Sequence, residues 1–430
     1  MRLRLYYLLL FGILGGRTSS YAEPLSFTVQ AESAILINAT TGKILYEKEA
    51  HVLQYPASIT KIATALFALK NISEDQFDEF LTADSDSIVW ISEEAKRRTN
   101  YEGYPAYWLE PRGTHMGIKK GEELSIRTLF YGLMLVSGND AANMIAKHVS
   151  GTVPEFMNQT NAHLKEIGCL NTTFYNPHGL FHPKHQTTAY DMALMTKEAL
   201  KNPFFCEVVS TVRYTRPKTN KQESSYLLQG NRLLRKGPHY YAKAIGGKTG
   251  GLVSASHASN TIVAIARDQD RTLIAVLLKS KDRNVMFQDA IKLFEGAFNE
   301  SKVQRRLVKA GPQKFVLELP GAAQPVTTWV KNDVTIDYYP AEEPKIKCLL
   351  NWTVQKLPVV AGQQVGELIL AGDGDVLIQK VPLLAQQTIE GSTSWKIQSL
   401  AAKTKHFKWQ YILIMLGALI VTGVILKRRK

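Results

Sequence analysis

The sequence predicts an α+β fold, with an antiparallel sheet flanked by helices, followed by a small all-β domain and one C-terminal transmembrane helix. Three observations predict it. Apolar strand pairs split by turn residues stand near both ends of residues 23–300. Helix-period runs fill the stretch between them. After about residue 300, short strand-like segments replace the helices.

In chain order, residues 1–22 read as a signal peptide. Arg2 and Arg4 precede the apolar run Leu5 to Leu14, and Ser20-Tyr21-Ala22 puts small residues before Glu23. Ser33 to Asn38 and Lys43 to Tyr46, split by Thr40-Thr41-Gly42, predict a hairpin. Ser58 to Leu69, apolar and Ala-rich behind Pro56, predicts a helix, and residues 123–148 carry further helix patterns. Thr261 to Ala266 and Thr272 to Leu278 flank the polar turn 267–271 and are apolar enough to lie inside the sheet. A helix pattern follows from Val285 to Phe298. Residues 301–390 then hold six strand-like segments, starting at Phe315, Val326, Val334, Ile346, Gln364 and Val376, with turns such as Asp373-Gly374 between them. Residues 391–408 read as a linker. Trp409 to Leu426 is 18 residues without a charge, the length of one transmembrane helix. Lys427-Arg428-Arg429-Lys430 then forms a basic tail expected on the cytoplasmic side, which leaves residues 23–300 outside the cytoplasmic membrane.

The formal net charge is +14, from 52 Lys and Arg against 38 Asp and Glu. No zinc-knuckle, helicase or RNA-binding pattern accompanies it, so a nucleic-acid partner is not expected. Cys169, Cys206 and Cys348 are odd in number and far apart, which argues against a disulfide framework. No Cys/His cluster suggests a metal, and no cofactor is expected.

Three short motifs carry chemistry. In Ser58-Ile59-Thr60-Lys61 one helical turn separates the two polar residues, so Lys61 lies beside Ser58. A serine hydroxyl attacks only when a base takes its proton. A lysine serves once burial and nearby cations lower its pKa. In Ser137-Gly138-Asn139, Ser137 suits proton transfer to a leaving amine and Asn139 suits binding a substrate amide. Lys248-Thr249-Gly250, between Gly246-Gly247 and Gly251, is a strand along which a peptide can pair. Lys248 and Thr249 there offer a charge and a hydroxyl to a terminal carboxylate. Each motif alone fits a helix cap or a glycine turn equally well. Ser58 and Ser137 lie 79 residues apart, Ser137 and Lys248 111, and the three occur in the order of the penicillin-recognising serine enzymes.

The chain resembles the low-molecular-mass penicillin-binding proteins that act as serine-type D-alanyl-D-alanine carboxypeptidases. The resemblance covers about residues 30–385. Besides the three motifs it includes Ala34 to Tyr46, Tyr55 to Lys61, Asn176-Pro177-His178-Gly179-Leu180 and Thr188 to Ala193. It implies a penicillin-recognising transpeptidase/β-lactamase-like catalytic domain, with the all-β domain as a stalk. By the same resemblance Ser58 attacks the bond between the last two D-alanines of a peptidoglycan pentapeptide, and Lys61 takes its proton. The backbone N–H groups of Ser58 and Gly251 form the oxyanion hole, and Arg283 lies near the substrate carboxylate. β-Lactams acylate Ser58.

Two departures stand out. Phe181 occupies a position where many relatives carry aspartate, and residues 96–117 are longer and more aromatic than the usual loop. Both suggest a cleft rim tuned to other substrate contacts. The rival readings are an endopeptidase that cuts peptidoglycan cross-links, a β-lactamase, and a non-catalytic wall-binding protein. The anchor and the β domain argue against a β-lactamase. A pure binder has no need of Ser58 and Lys61 together.

Overall fold

The computed structural model describes Leu25, residues 27–252 and residues 259–400. The signal peptide (1–22), the transmembrane segment (409–426) and the basic tail (427–430) lie outside them. No helix among the described residues is long and apolar enough to cross a membrane. The chain divides into two compact units between Ser301 and Lys302.

The first unit opens with the hairpin β1 (Ser33–Asn38) and β2 (Ile44–Lys48). A 3-10 turn, Ala57–Thr60, leads into α1 (Lys61–Asn71), so Ser58 sits in the turn and the α-helix begins at Lys61. Next come β3 (Phe80–Thr82), α2 (Glu93–Arg98), β4 (Glu123–Ser125), α3 (Ile126–Leu135), α4 (Asn139–Ser150) and α5 (Val153–Glu166). Then follow α6 (Ala189–Ala199), α7 (Pro203–Ser210), β5 (Arg213–Arg216) and β6 (Ser225–Leu228). The unit closes with β7 (Ala244–Leu252), β8 (Ser259–Asp268), β9 (Arg271–Ser280) and α8 (Arg283–Phe298).

Five strands form the main antiparallel sheet in the order β2-β1-β9-β8-β7. Leu273 to Leu278 of β9 and Ile262 to Ala266 of β8 are almost wholly buried. Helices explain why these runs are apolar on both faces: α8 packs on β8 and β9, and α6 packs on β1 and β9. The helix starts are chemically fixed. Thr188 accepts from the Asp191 N–H at the start of α6. Asp282 accepts from the N–H groups of Asn284 and Val285 at 2.7 and 2.9 Å, which starts α8 at Arg283, two residues before the expected Val285. The α1 helix is buried along most of its length, from Lys61 to Ala68, and packs against α3, α4, α5 and α6. The nucleophile turn is thereby rooted in the core.

The second unit has β10 (Val303–Val308), β11 (Gly311–Leu317), β12 (Val326–Val330), β13 (Val334–Tyr338), β14 (Lys347–Trp352), β15 (Gln364–Ala371) and β16 (Leu377–Ala385). A sheet in the order β11-β12-β16-β15-β14 faces the pair β10-β13 over a core that includes Val326, Val365, Leu368 and Leu383. Residues 393–400, within the expected linker, are helical, and Trp395 lies against Gly321 and Gly391.

Candidate active site

The site assembles where the nucleophile turn, the α3–α4 turn and β7 meet. A cleft of about 360 Å³ is lined there by Ser58, Ser137, Asn139, Lys248, Gly251 and Arg283, among others. Thr249 and Gly250 line it as well, so all the expected residues except Lys61 open on it directly. Lys61 lies beneath, fully buried.

The turn that carries Ser58 is strained and tied down. Ala57 takes φ +53°, a conformation that L-residues rarely adopt. Thr261 Oγ1 donates to the Pro56 carbonyl at 2.8 Å, and Thr60 Oγ1 donates to the Ala57 carbonyl at 2.8 Å. Behind Thr60 stands His185. Its Nδ1 accepts from the Tyr175 N–H at 3.1 Å, so its Nε2 carries the proton and donates to Thr60 Oγ1 at 2.9 Å. Burial pushes His185 down to about 3 and keeps it in this neutral form. Gly179 packs directly under the turn: a methyl group there would stand 1.9 Å from the Ala57 carbonyl oxygen.

Lys61 Nζ lies 3.2 Å from Ser58 Oγ, 2.7 Å from Asn139 Oδ1 and 2.8 Å from the His178 carbonyl oxygen. Burial, then the charge of Lys248, holds its pKa well below the ordinary lysine value, with Asp140 opposing. A neutral amine has two hydrogens and one lone pair. The amide and carbonyl oxygens take the hydrogens, which leaves the lone pair facing the serine hydroxyl. The arrangement can therefore draw the proton from Ser58.

The structure gives Asn139 a different first partner from the one expected. Its side chain is buried and holds Lys61, rather than standing free for a substrate amide. Ser137 lines the cleft and takes φ +61°, and its buried Oγ has no hydrogen-bond partner among the described residues. An unpaired buried hydroxyl is costly unless a ligand completes it. Asp140 was not singled out from the sequence. Its carboxylate accepts from the N–H groups of Met116, Gly117 and Ile118 at 2.9, 2.9 and 3.1 Å, which pins the end of the 96–117 stretch to α4. Its acidic character at the start of a helix is the one signal that could have marked it.

On the opposite wall, Lys248 is buried and its pKa is pushed down to about 7, by burial first and then by Arg283. Its Nζ donates to the Thr249 carbonyl at 2.8 Å. Arg283 Nη2 donates to Thr249 Oγ1 at 3.4 Å, so the Thr249 hydroxyl hydrogen remains available to a ligand. The glycines divide the labour. At Gly250 a methyl group would stand 2.8 Å from Ser58 N and 2.5 Å from Thr261 Oγ1. The close approach there is by the protein's own backbone, not by substrate. At Gly251 a methyl group would make only ordinary contacts, the nearest 3.9 Å away, and β7 is the end strand of the sheet, unpaired on its outer side among the described strands.

The 96–117 stretch forms the remaining wall through Glu110, Arg112, Gly113 and Thr114. A buried ion pair between Lys96 and Glu110 at 3.0 Å braces it, and His178 Nε2 lies 3.0 Å from the Tyr107 carbonyl. Phe181 lines the cleft and packs on Tyr55 and Tyr101, with ring centroids 4.9 and 5.2 Å apart.

A serine whose hydroxyl faces a buried lysine of lowered pKa, across a cleft from the strand that carries Lys248, defines a serine-type hydrolase of the penicillin-binding fold. The family profile described as D-alanyl-D-alanine carboxypeptidase, peptidase S11, matches residues 18–282, and the chain belongs to that family. The chain is 31% identical over 395 residues to the D-alanyl-D-alanine carboxypeptidase DacF of Bacillus subtilis, covering 87% of this chain and 88% of that one. It is 28% identical over 379 residues to DacD of Salmonella typhimurium, covering 86% and 90%. Penicillin-binding protein 5 of Haemophilus influenzae shares the fold, with a TM-score of 0.56 at 23% identity over 85% of this chain and 99% of that one. A D-alanyl-D-alanine carboxypeptidase from Mycobacterium tuberculosis superposes with a TM-score of 0.52 at 25% identity over 66% and 96%.

Proposed function

We propose that this D-alanyl-D-alanine carboxypeptidase acts through an acyl-enzyme on Ser58 and releases the last D-alanine of peptidoglycan pentapeptides. The observation that carries this reading is the 3.2 Å contact between Lys61 Nζ and Ser58 Oγ, with the other two amine contacts spoken for by Asn139 and His178. In the first step Lys61 accepts the Ser58 proton, and the Oγ–carbonyl bond forms. The tetrahedral oxygen is stabilised by the N–H groups of Ser58 and Gly251. The proton taken by Lys61 passes by way of Ser137 to the departing amine as the amide C–N bond breaks, which leaves Lys61 neutral and Ser137 a hydroxyl again. Water then hydrolyses the ester and restores Ser58. Lys248, Thr249 and Arg283 take the terminal carboxylate, and the open edge of β7 at Gly251 receives the peptide as an added strand.

β-Lactams enter the same site as acylating substrate analogues. We further propose export through residues 1–22 and anchoring through residues 409–426, with the catalytic unit on the outer side of the cytoplasmic membrane.

The test is a product assay on the purified protein with a defined pentapeptide. Stoichiometric free D-alanine with the matching tetrapeptide is the expected result. A pentapeptide left unchanged by a penicillin-free preparation, separate samples of which do take up penicillin label, would contradict it.

A further inference from the structure

The cleft holds two charged side chains that the catalytic steps leave unused. Glu93, at the start of α2, and Arg112, in the 96–117 stretch, both line it. Glu93 is half-buried and Arg112 is exposed. Among the described residues neither makes a hydrogen bond or an ion pair, with each other or with any other group. The remaining charged groups of the cleft are spoken for. Glu110 pairs with Lys96 at 3.0 Å, and Lys248 and Arg283 each donate to Thr249.

Glu93 stands beside the aromatic part of the same wall. Burial raises the pKa of both Tyr101 and Glu110, and the nearby negative charge of Glu93 adds to the rise in each. Tyr101 packs on Phe181 with ring centroids 5.2 Å apart, and Phe181 lines the cleft. An apolar ring surface therefore leads toward a carboxylate that has no cation of its own. A ligand that completes this wall brings an apolar stem, an ammonium for Glu93 and a carboxylate for Arg112. An amino-acid head group carries both charges on one carbon.

A wall peptide has one place for such a group. With the terminal carboxylate on Lys248, Thr249 and Arg283, the departing D-alanine fills that side of the cleft. The residue acylated onto Ser58 is also D-alanine, and its methyl group carries no charge. The third residue of the stem comes next, and it is a diamino acid with a long side chain. That side chain ends either in an ammonium alone, as in lysine, or in an ammonium and a carboxylate on the same carbon, as in diaminopimelate.

We propose that Glu93 and Arg112 determine specificity at the third residue of the stem peptide, Glu93 holding the side-chain ammonium and Arg112 the carboxylate, so that the enzyme favours the diaminopimelate type. The inference rests on the reading of this cleft as that of a pentapeptide carboxypeptidase. Phe181 covers the methylenes of the bound side chain. Arginine suits its part because its planar fork pairs with a carboxylate through two hydrogen bonds. Both residues position substrate and take no part in the bond changes at Ser58.

The test uses three pentapeptides that differ only at the third residue: meso-diaminopimelate, lysine and Nε-acetyllysine. D-Alanine release is measured with the full-length protein and with its Glu93→Gln and Arg112→Gln variants. In the unaltered enzyme kcat/KM is expected to fall in that order, roughly tenfold at each step, because each step removes one charged hydrogen-bonding group. Arg112→Gln removes the preference for diaminopimelate over lysine. Glu93→Gln removes the preference for lysine over acetyllysine. Each readout is a ratio within one protein, so a general loss of folding or of acylation cancels. A diaminopimelate preference of about twofold or less in the unaltered enzyme overturns the proposal. So does either variant that keeps its ratio, whatever its absolute rate. Absence of D-alanine release from all three peptides is a different failure: it removes the carboxypeptidase reading itself.

Discussion

Lys61 and Lys248 are asked for opposite protonation states in one cleft. Lys61 must be neutral to accept a proton, and Lys248 must be charged to hold a carboxylate. Burial lowers both, Lys61 well below its ordinary value and Lys248 to about 7. The signs follow directly. Activity rises with pH as Lys61 loses its proton, and binding weakens as pH rises through the Lys248 value. The expected kcat/KM profile therefore has an alkaline limb near pH 7 in the free enzyme. Lys248→Arg keeps its charge and moves that limb upward; a profile flat between about pH 6 and 9 in the unaltered enzyme would contradict the assignment. At this scale the sequence was informative where chemistry sits on side chains at short spacing, as in Ser58 and Lys61. It was silent on the His178 carbonyl, because a backbone oxygen has no sequence signature. Asn139 was legible as a site residue, but its partner Lys61 is 78 residues away, and only folding brings the two together.

Among the elements, the Asn176 to Leu180 stretch and β7 act as jaws on the nucleophile turn. Gly179 takes φ +87° and has no room for a methyl group beside Ala57. Gly179→Ala should cost about 1–3 kcal/mol of stability. It should also slow penicillin acylation about a hundredfold, since the Ser58 turn must shift. Thermal melts and acylation rates check both, and Gly251→Ala, whose methyl group would make only ordinary contacts at 3.9–4.0 Å, should leave the melting temperature unchanged. The hairpins and buried helices were legible because their apolar periods match the faces they bury. The β10 strand was not. In Val303–Val308 only Leu307 and Val308 are buried, so no alternation betrays a strand. The length of the 96–117 stretch was visible, but its Lys96–Glu110 brace was not, because two charged residues 14 apart usually mean a solvated loop.

For the whole molecule, the change near residue 300 from helix-period runs to short alternating ones reflects two cores that each bury their own apolar faces. The chemistry proposed for the first unit draws on no residue beyond Arg283. Removing residues 409–430 is accordingly expected to give a protein that stays in the supernatant after membranes are pelleted and still releases D-alanine. A truncated protein that still sediments with membranes would contradict the proposed anchor. Every step of the proposed mechanism, however, depends on Ser58 as the acylated nucleophile. The direct measurement is labelling by a fluorescent penicillin, with the adduct mapped by mass spectrometry, in the unaltered protein and in Ser58→Ala. One adduct on Ser58 is expected and none in the variant, with both proteins melting alike. An adduct that persists in Ser58→Ala, or that maps to another residue, would contradict it.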